Sequence, residues 1–233
     1  MINDPVTLRT SASGQARLTV EPEQPVVVIV DDDAAVRDAL HELMLSAGME
    51  CACFASTREL LEANVMDRPG CLVLDVRMPG SSGLDLQRHL AASGNRKPIV
   101  FITGHGDIPS SVRAIKRGAV DFLTKPFSDA DLMQAIGTAV AQDRQARAER
   151  AEFAVLKHRY LELTPREREV LPLVISGLLN KQAAAELGIS EVTLQIHRRN
   201  VMQKMAAPSL ADLVRIAEKL QIPVTHSRRA GEE

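Results

Sequence analysis

Cysteine and long apolar runs are scarce in this chain, and each scarcity argues against a class of protein. Only three cysteines occur among 233 residues, an odd number that fits a reducing compartment better than a disulfide framework. No apolar stretch approaches the roughly 18 residues of a membrane helix, and the polar N-terminus lacks the apolar core of a signal peptide. We therefore expect a cytoplasmic protein with no membrane partner.

Two of the cysteines, Cys51 and Cys53, lie two residues apart on a predicted strand and so share one face. A Cys-x-Cys pair can bind a metal ion, but the sequence has no second cluster to complete such a site. Core packing is the favoured interpretation. Nucleotide-binding loops are missing as well, since neither a Walker loop nor a Gly-x-Gly-x-x-Gly motif occurs.

Apolar residues make up 45% of the chain, which is ample for packed cores. Residues 1–24 have no periodic pattern and are predicted to form a disordered arm. Across residues 25–141, apolar runs alternate with helical patterns, which predicts an α/β domain: a doubly wound, five-stranded parallel sheet with helices on both faces. Residues 142–160 are charged and rich in alanine, so they either continue the last helix or form a partly helical linker.

The C-terminal part is predicted to be a small all-α domain of four helices over residues 161–222, followed by a flexible tail at 223–233. Thr164-Pro165-Arg166-Glu167 supplies an N-cap, a proline at the first helical position and a capping-box glutamate. Asn180 is predicted to cap the short second helix, and Ser190 the longer third helix. A tight turn at Gly188 joins these two, which is typical of a helix-turn-helix.

Polar side chains follow four of the apolar runs in the first domain. They are Asp31-Asp32 after Val26–Val30, Asp75 after Cys71–Leu74, Thr103 after Ile99–Ile102, and Lys125-Pro126 after Val120–Leu123. In a doubly wound sheet, ligands bind beyond the carboxyl ends of the strands. Three carboxylates, a hydroxyl and an ammonium are therefore expected in one shallow pocket, which suits a divalent cation and a phosphoryl group.

These motifs resemble a known pairing, a response-regulator receiver domain followed by a LuxR-type DNA-binding domain, and within the FixJ/NarL family they are most similar to FixJ-like regulators. The receiver motifs are Val30-Asp31-Asp32-Asp33, Leu74-Asp75-Val76-Arg77-Met78-Pro79-Gly80, Thr103-Gly104-His105-Gly106-Asp107 and Asp121-Phe122-Leu123-Thr124-Lys125-Pro126-Phe127. The effector motifs are Leu163-Thr164-Pro165-Arg166-Glu167, Gly177-Leu178-Leu179-Asn180-Lys181 and Val201-Met202-Gln203-Lys204-Met205. The resemblance implies a flavodoxin-like receiver.

The resemblance also implies roles for individual pocket residues. Asp75 is the implied phosphoacceptor, and Mg²⁺ is the implied cofactor. Its direct ligands would be Asp32, Asp75 and the backbone carbonyl of Arg77, while Asp31 would act through water. Lys125 would supply a second cation and Thr103 a hydroxyl for the phosphoryl oxygen. Phe122 occupies the position of the aromatic switch residue, although an ordinary core aromatic is the alternative.

A recognition helix needs one face that packs and one that enters the major groove. Leu194, Val201 and Met205 fall on one side of a helical wheel. On the opposite side lie the candidates for base contact, Gln195, Ile196 and Arg199, which also match the base-contacting positions of the family. The candidates for phosphate contact are Lys181, Thr193, Asn200 and Lys204. For Arg198, phosphate binding and an internal ion pair both stay open.

The expected function is a two-component response regulator that is phosphorylated by a sensor histidine kinase, forms a homodimer and binds double-stranded promoter DNA. RNA polymerase is an expected partner, and activation is the family tendency. The chain is not expected to be an enzyme beyond assisting its own phosphorylation and dephosphorylation. The alternative is a phosphorelay or interaction protein without DNA output. A dehalogenase-like phosphatase is disfavoured, because Asp75-Val76-Arg77 lacks the second aspartate of that class.

Two further positions, Arg77 and His105, flank the expected path of the attacking water. We hypothesise that their bulk and charge set the lifetime of the phosphoryl-aspartate. Simple solvation of both side chains is the alternative.

Overall fold

A computed structural model describes residues 23–104 and 108–223 of the chain. Most of the predicted N-terminal arm, almost all of the predicted tail, and His105 lie outside the described residues. The chain divides into two compact units, with the division between Ala146 and Arg147. Over the stretches described, we find no helix with both the length and the hydropathy that crossing a bilayer requires.

The first unit is a parallel five-stranded sheet with the strand order β2-β1-β3-β4-β5. The strands are β1 (Val26–Val30), β2 (Glu50–Phe54), β3 (Gly70–Asp75), β4 (Ile99–Thr103) and β5 (Asp121–Thr124). The helices between them are α1 (Ala34–Ser46), α2 (Thr57–Glu62), α3 (Gly83–Ala92) and α4 (Ile108–Lys116), and α5 (Asp129–Leu161) follows β5. The predicted doubly wound α/β fold is confirmed.

Alternation along the strands divides the apolar side chains of the sheet between two cores. Val26, Val28 and Val30 pack in one core with α2 and α3, whereas Val27 and Ile29 pack on the opposite face with α1 and α5. The central strands β1 and β3 are buried along their whole length. This burial on both faces explains why those strands read as unbroken apolar runs rather than as alternating patterns.

Helix α5 is one continuous helix of 33 residues, so residues 142–160, which the sequence left open, are helical. Asp143 on this helix is buried and accepts a hydrogen bond from the backbone N–H of Gly70 at 2.9 Å. The packing of the first unit therefore continues past residue 141, the predicted end of the domain. Residues 142–160 continue the helix because they contain no glycine or proline to interrupt it.

The second unit contains four short helices after the end of α5. They are α6 (Pro165–Ile175), α7 (Asn180–Leu187), α8 (Glu191–Lys204) and α9 (Leu210–Lys219). Their core includes Val170, Leu171, Leu194, Val201 and Leu213, all of which are fully buried. The predicted all-α domain of four helices is confirmed.

The prediction that Asn180 caps the second helix of this unit was wrong. Helix α7 begins at Asn180 itself, after Leu179 in an extended conformation. The side chain of Gln182 accepts a hydrogen bond from the backbone N–H of Leu179 at 3.0 Å, while the side-chain Oδ1 of Asn180 accepts one from the Arg198 guanidinium. Asn180 is a residue type that local sequence rules assign to a helix cap, but here its side chain bonds to a tertiary partner, Arg198.

Candidate functional site: an acidic pocket and a helix-turn-helix

Three carboxylates meet at the carboxyl end of the sheet. Asp31 and Asp32 directly follow β1, and Asp75 is the last residue of β3. The parallel register aligns Val30 with Leu74, so the residues that follow them emerge side by side. One oxygen from each of the three carboxylates lies within 4.8 Å of the others.

Local hydrogen bonds hold the first of these carboxylates in place. Asp31 is fully buried, and its Oδ1 accepts the backbone N–H of Asp33 at 2.9 Å. Its backbone carbonyl accepts a hydrogen bond from the Arg37 guanidinium at 2.7 Å. Asp33 caps α1 by accepting the backbone N–H of Ala35, which assigns it the structural role expected for an acid at a helix start.

Lys125 reaches this cluster from the end of β5. Its Nζ lies 2.6 Å from Oδ2 of Asp31, across a separation of 94 residues. The side chain of Asp31 is only 1% exposed and that of Lys125 is 24% exposed, so water screens this pair weakly. The backbone N–H of Lys125 bonds to the carbonyl of Thr103 at 2.7 Å, and a cis peptide bond links Lys125 to Pro126.

Asp75 is the carboxylate of this cluster with unused hydrogen-bonding capacity. Burial raises its pKa above the ordinary value, Lys125 opposes that effect, and the charges of Asp31 and Asp32 add to the rise. The backbone N–H of Arg77 also favours the ionised form. Among the described residues, no hydrogen-bond donor reaches the buried Oδ1 of Asp75. A buried, unpaired carboxylate oxygen is costly, so this atom is a natural position for a ligand.

The backbone beside Asp75 leaves no room for a side chain. A Cβ placed on Gly83, the first residue of α3, would lie 2.3 Å from the carbonyl oxygen of Asp75. Helix α3 can therefore start against β3 only with glycine at this position. The helix is fixed there by a reciprocal capping box between Ser82 and Asp85.

Thr103 lies on β4, which pairs with β3, and Phe122 lies on β5, the edge strand that pairs with β4. Thr103 ends β4 and is fully buried. The half-buried ring of Phe122 packs against Phe101, with ring centroids 6.2 Å apart and planes tilted by 44°. Phe122 thus belongs to the rim of a core cluster, a position compatible with both predicted roles, switch and core aromatic. Arg77 is exposed.

Helix α8 presents the two faces that the helical wheel predicts. Leu194, Val201 and Met205 are buried, whereas Gln195, Ile196 and Arg199 are exposed. The side chain of Ile196 on the outer face is 56% exposed to solvent, which is unusual for a large apolar residue. Ser190 caps the helix by accepting the N–H of Thr193, and the two hydroxyls are 2.8 Å apart.

Two basic residues of α8 bind inside the unit rather than pointing away from it. Arg198 donates to the Asn180 side chain at 2.9 Å, which is a neutral amide rather than the acid or the phosphate that the sequence left open for this residue. Lys204 lies 2.7 Å from Oε2 of Glu167, whose side chain is only 3% exposed. The remaining candidates for phosphate contact, Lys181, Thr193 and Asn200, lie on exposed or half-buried positions.

Sequence reasoning missed the role of Glu167. The capping box correctly predicted its bond to the backbone N–H of Thr164, found at 2.8 Å. It gave no sign that the same carboxylate is buried and paired with a lysine 37 residues away. A non-local pair of this kind leaves no periodic signal in a single sequence.

Comparison with known families agrees with both halves of this description. Residues 27–137 match the response regulator receiver domain, and residues 161–217 match the luxR family of bacterial regulatory proteins. A parallel-sheet receiver with an acidic pocket and a LuxR-type helix-turn-helix define the class of two-domain response regulators. The chain belongs to that family, in its FixJ/NarL branch, and is a transcriptional response regulator; the alternative without DNA output is not supported.

Individual relatives match most of the chain along nearly their whole length. Nodulation protein W of Bradyrhizobium diazoefficiens is 48% identical and covers 96% of this chain and 99% of its own. The transcriptional regulatory protein FixJ of Azorhizobium caulinodans is 45% identical over 84% of this chain and 93% of its own. The solved structure of the response regulator StyR has 48% identity and a TM-score of 0.77, covering 84% of this chain and 99% of that one.

Proposed function

We propose that Asp75 accepts a phosphoryl group from a sensor histidine kinase, and that this modification controls promoter binding by the helix-turn-helix. The observation that carries the proposal is the state of Asp75, a buried carboxylate at a strand end with one unpaired oxygen beside two acids and a lysine. In the transfer, an Asp75 oxygen attacks phosphorus, the phosphorus–nitrogen bond of the phosphohistidine breaks, and an acyl phosphate forms. Phosphoryl transfer depends mainly on positioning and charge neutralisation.

The residues of the pocket fit a Mg²⁺ ion. The cluster supplies only oxygen donors, which this cation prefers. Both oxygens of Asp31 are engaged, one by Lys125 and one by the N–H of Asp33, so an indirect role through water suits Asp31. Asp32, Asp75 and the carbonyl of Arg77 would hold the ion. When bound, it supplies positive charge against the carboxylates and the phosphoryl oxygens.

Three further residues would serve the acyl phosphate. Lys125, now paired with Asp31, would share its ammonium with a phosphoryl oxygen, and the Thr103 hydroxyl would donate a hydrogen bond to another. Phe122 would repack as Thr103 moves. A phosphoryl group brings nearly two negative charges and strong acceptors, so it would compete with Asp31 for the ammonium of Lys125.

Helix α8 would contact the bases of the promoter DNA. Gln195 and Arg199 are suited to adenine and guanine edges, and Ile196 to a thymine methyl. Lys181, Thr193, Asn200 and Lys204 are the proposed phosphate contacts, Lys204 subject to its pairing with Glu167. We further propose a homodimer on phosphorylation, contact with RNA polymerase, and a cytoplasmic location, which follows from these partners. The chain would catalyse only its own phosphorylation and dephosphorylation.

Labelling with radioactive acetyl phosphate in the presence of Mg²⁺ tests the acceptor. The wild-type protein is expected to incorporate label, and Asp75→Asn is expected to lose it. Asp67→Asn is the matched control, because Asp67 is an exposed acid on the loop before β3, and it should label normally. Equal labelling of wild type and Asp75→Asn would refute the assignment of the acceptor.

Selection of DNA fragments from the genome, followed by binding measurements at several salt concentrations, tests the output. Arg199→Ala is expected to weaken binding to the selected site by about 1–3 kcal/mol and to relax its sequence preference. Lys181→Ala should weaken all fragments alike and lower the salt dependence by about one charge. Unchanged selectivity in Arg199→Ala would remove this residue from base reading. Sedimentation before and after phosphorylation would show whether the dimer forms.

A further inference from the structure

A second cluster of metal-binding side chains lies away from the acidic pocket, on α1 and β2. The Nδ1 atom of His41 is 3.0 Å from Sγ of Cys51 and 4.0 Å from Sγ of Cys53. The three donor atoms all lie within 4.8 Å of one another. His41 and Cys53 are exposed and Cys51 is half-buried, so an ion could reach the cluster from solvent.

The fold assembles this cluster from two elements. Cys51 and Cys53 point to the same face of β2, the strand at the edge of the sheet. Helix α1 packs on that face, where Leu40 and Met44 enter the core that Cys51 borders. His41 follows Leu40 and faces the two thiols. The Cys-x-Cys pair of the sequence thus gains the third ligand that the sequence alone did not reveal.

The spacing of the donors suits a bound metal ion. With zinc–sulfur bonds of about 2.3 Å and zinc–nitrogen bonds of about 2.05 Å, a tetrahedral site needs sulfur–nitrogen separations of about 3.5 Å. The observed 3.0 and 4.0 Å lie on either side of that value, so rotation of the side chains alone could equalise them. A disulfide is the less suitable use, because residues two apart on a strand have Cα atoms about 6.6 Å apart, near the upper limit for that bond.

We propose that His41, Cys51 and Cys53 form a binding site for a thiophilic d¹⁰ cation, Zn²⁺ or Cu⁺. Imidazole nitrogen and thiolate sulfur select these ions over the Mg²⁺ suited to the acidic pocket. On binding, each thiol releases its proton to solvent and the imidazole binds through Nδ1, with its proton on Nε2. A zinc ion would keep a fourth position for water, and Cu⁺ would be three-coordinate. The ion would link α1 to the edge strand.

The test is metal binding by the full-length, reduced protein with excess Mg²⁺ present to occupy the acidic pocket. Zn²⁺ is titrated against a chromophoric zinc chelator, and Cu⁺ is titrated anaerobically against a copper(I) chelator. We expect one ion per chain in at least one arm, and the arm with the tighter binding identifies the metal. Co²⁺ serves as a spectroscopic probe and should give thiolate-to-cobalt charge-transfer bands with the visible bands of a tetrahedral ion.

Variants of the three ligands make the outcome decisive. His41→Ala, Cys51→Ser and Cys53→Ser should each weaken binding by at least about tenfold and diminish the cobalt bands. The matched controls are His89→Ala, an exposed histidine on α3, and Cys71→Ala, a cysteine outside the cluster; both should bind as the wild type does. Circular dichroism without metal checks that each variant folds, and labelling at Asp75 gives a second check in the same unit.

Two results would overturn the proposal. The first is a wild-type protein that withdraws neither ion from its chelator at micromolar concentrations. The second is a triple variant of His41, Cys51 and Cys53 that binds as tightly as the wild type, which would place the ion elsewhere. Cobalt spectra without charge transfer, typical of six oxygen ligands, would have the same meaning.

Discussion

Replacing Lys204 by methionine should destabilise the helix-turn-helix unit much more than removing an exposed lysine. The partner of Lys204, Glu167, is 3% exposed, while Lys204 itself is 35% exposed. Breaking a fully buried ion pair by removing one partner costs about 3–5 kcal/mol. Because Lys204 is partly solvated, we expect a smaller loss of about 2–3 kcal/mol in the free energy of unfolding.

The chain contains a natural control for this comparison. Lys219 and Glu152 form an ion pair in the same unit, but their side chains are 52% and 55% exposed. Lys219→Met removes the same charge with the same change of side chain, yet an exposed pair contributes only about 0–1 kcal/mol. The difference between the two variants isolates the effect of burial. A double-mutant cycle with Glu167→Gln then measures the coupling between the partners.

One fluorophore makes the measurement specific to this unit. The chain has no tryptophan and a single tyrosine, Tyr160, which packs against the core of the second unit. The Arg168 guanidinium lies 5.5 Å from the centre of its ring. Tyrosine fluorescence during urea unfolding of the full chain therefore reports on this unit. With a urea dependence of about 1–3 kcal/mol/M, a loss of 2 kcal/mol shifts the midpoint by roughly 1 M.

The pH dependence gives a second, independent check. Burial raises the pKa of Glu167, but hydrogen bonds from Lys204 and Thr164 outweigh that effect and leave the pKa below its ordinary value. A lowered folded-state pKa stabilises the protein above the unfolded pKa of about 4.3, and the stabilisation is lost as the pH falls through the folded pKa. In Lys204→Met, the buried carboxylate lacks its counter-charge, so its folded pKa should rise.

The stability gap between wild type and Lys204→Met should therefore narrow as the pH is lowered from about 7 towards 4, since Glu167 becomes neutral in the variant. Lys219→Met should show no comparable narrowing. The reasoning fails if Lys204→Met shifts the midpoint no further than Lys219→Met, or if its effect is independent of pH. DNA binding by folded Lys204→Met separates the internal role from a phosphate contact. Only the loss of a phosphate contact would lower the dependence of DNA affinity on salt concentration.

Three other experiments probe particular features of the structure. Gly83→Ala should destabilise the first unit by about 1–3 kcal/mol and slow labelling of Asp75, because the added Cβ would contact the Asp75 carbonyl. The control Gly137→Ala, with open space around its Cβ, should be neutral or stabilising in thermal unfolding. Equal behaviour of the two variants would contradict the packing argument. Burial raises the pKa of the Cys71 thiol to about 12. Mass spectrometry should therefore find Cys71 unreacted with iodoacetamide in the folded protein while the other two cysteines react. Modification of all three cysteines at one rate would be inconsistent with this burial. Ser190→Ala removes the cap of α8 and should cost about 0.5–2 kcal/mol by the tyrosine assay, whereas an unchanged midpoint would show that the cap contributes nothing.

Much of the fold and pocket could be predicted because the relevant signals are local. Apolar runs that end in Asp31, Asp75 and Thr103 mark strand ends, and parallel strands place their ends at one edge of the sheet. The outer face of α8 followed from helical periodicity alone. The assignment of Asn180 as a cap failed because a local rule competed with a tertiary partner, Arg198.

The sequence by itself determined the order and type of the helices and strands, which faces are apolar, and which acids gather beyond the sheet, because these depend on neighbours a few residues away. Only the tertiary structure decided the pairings between distant residues: Lys125 with Asp31, Lys204 with Glu167, and His41 with the two thiols. Such pairs depend on which elements pack together and on the burial of each charge. A one-dimensional pattern carries neither quantity, since both arise only when the whole chain has folded.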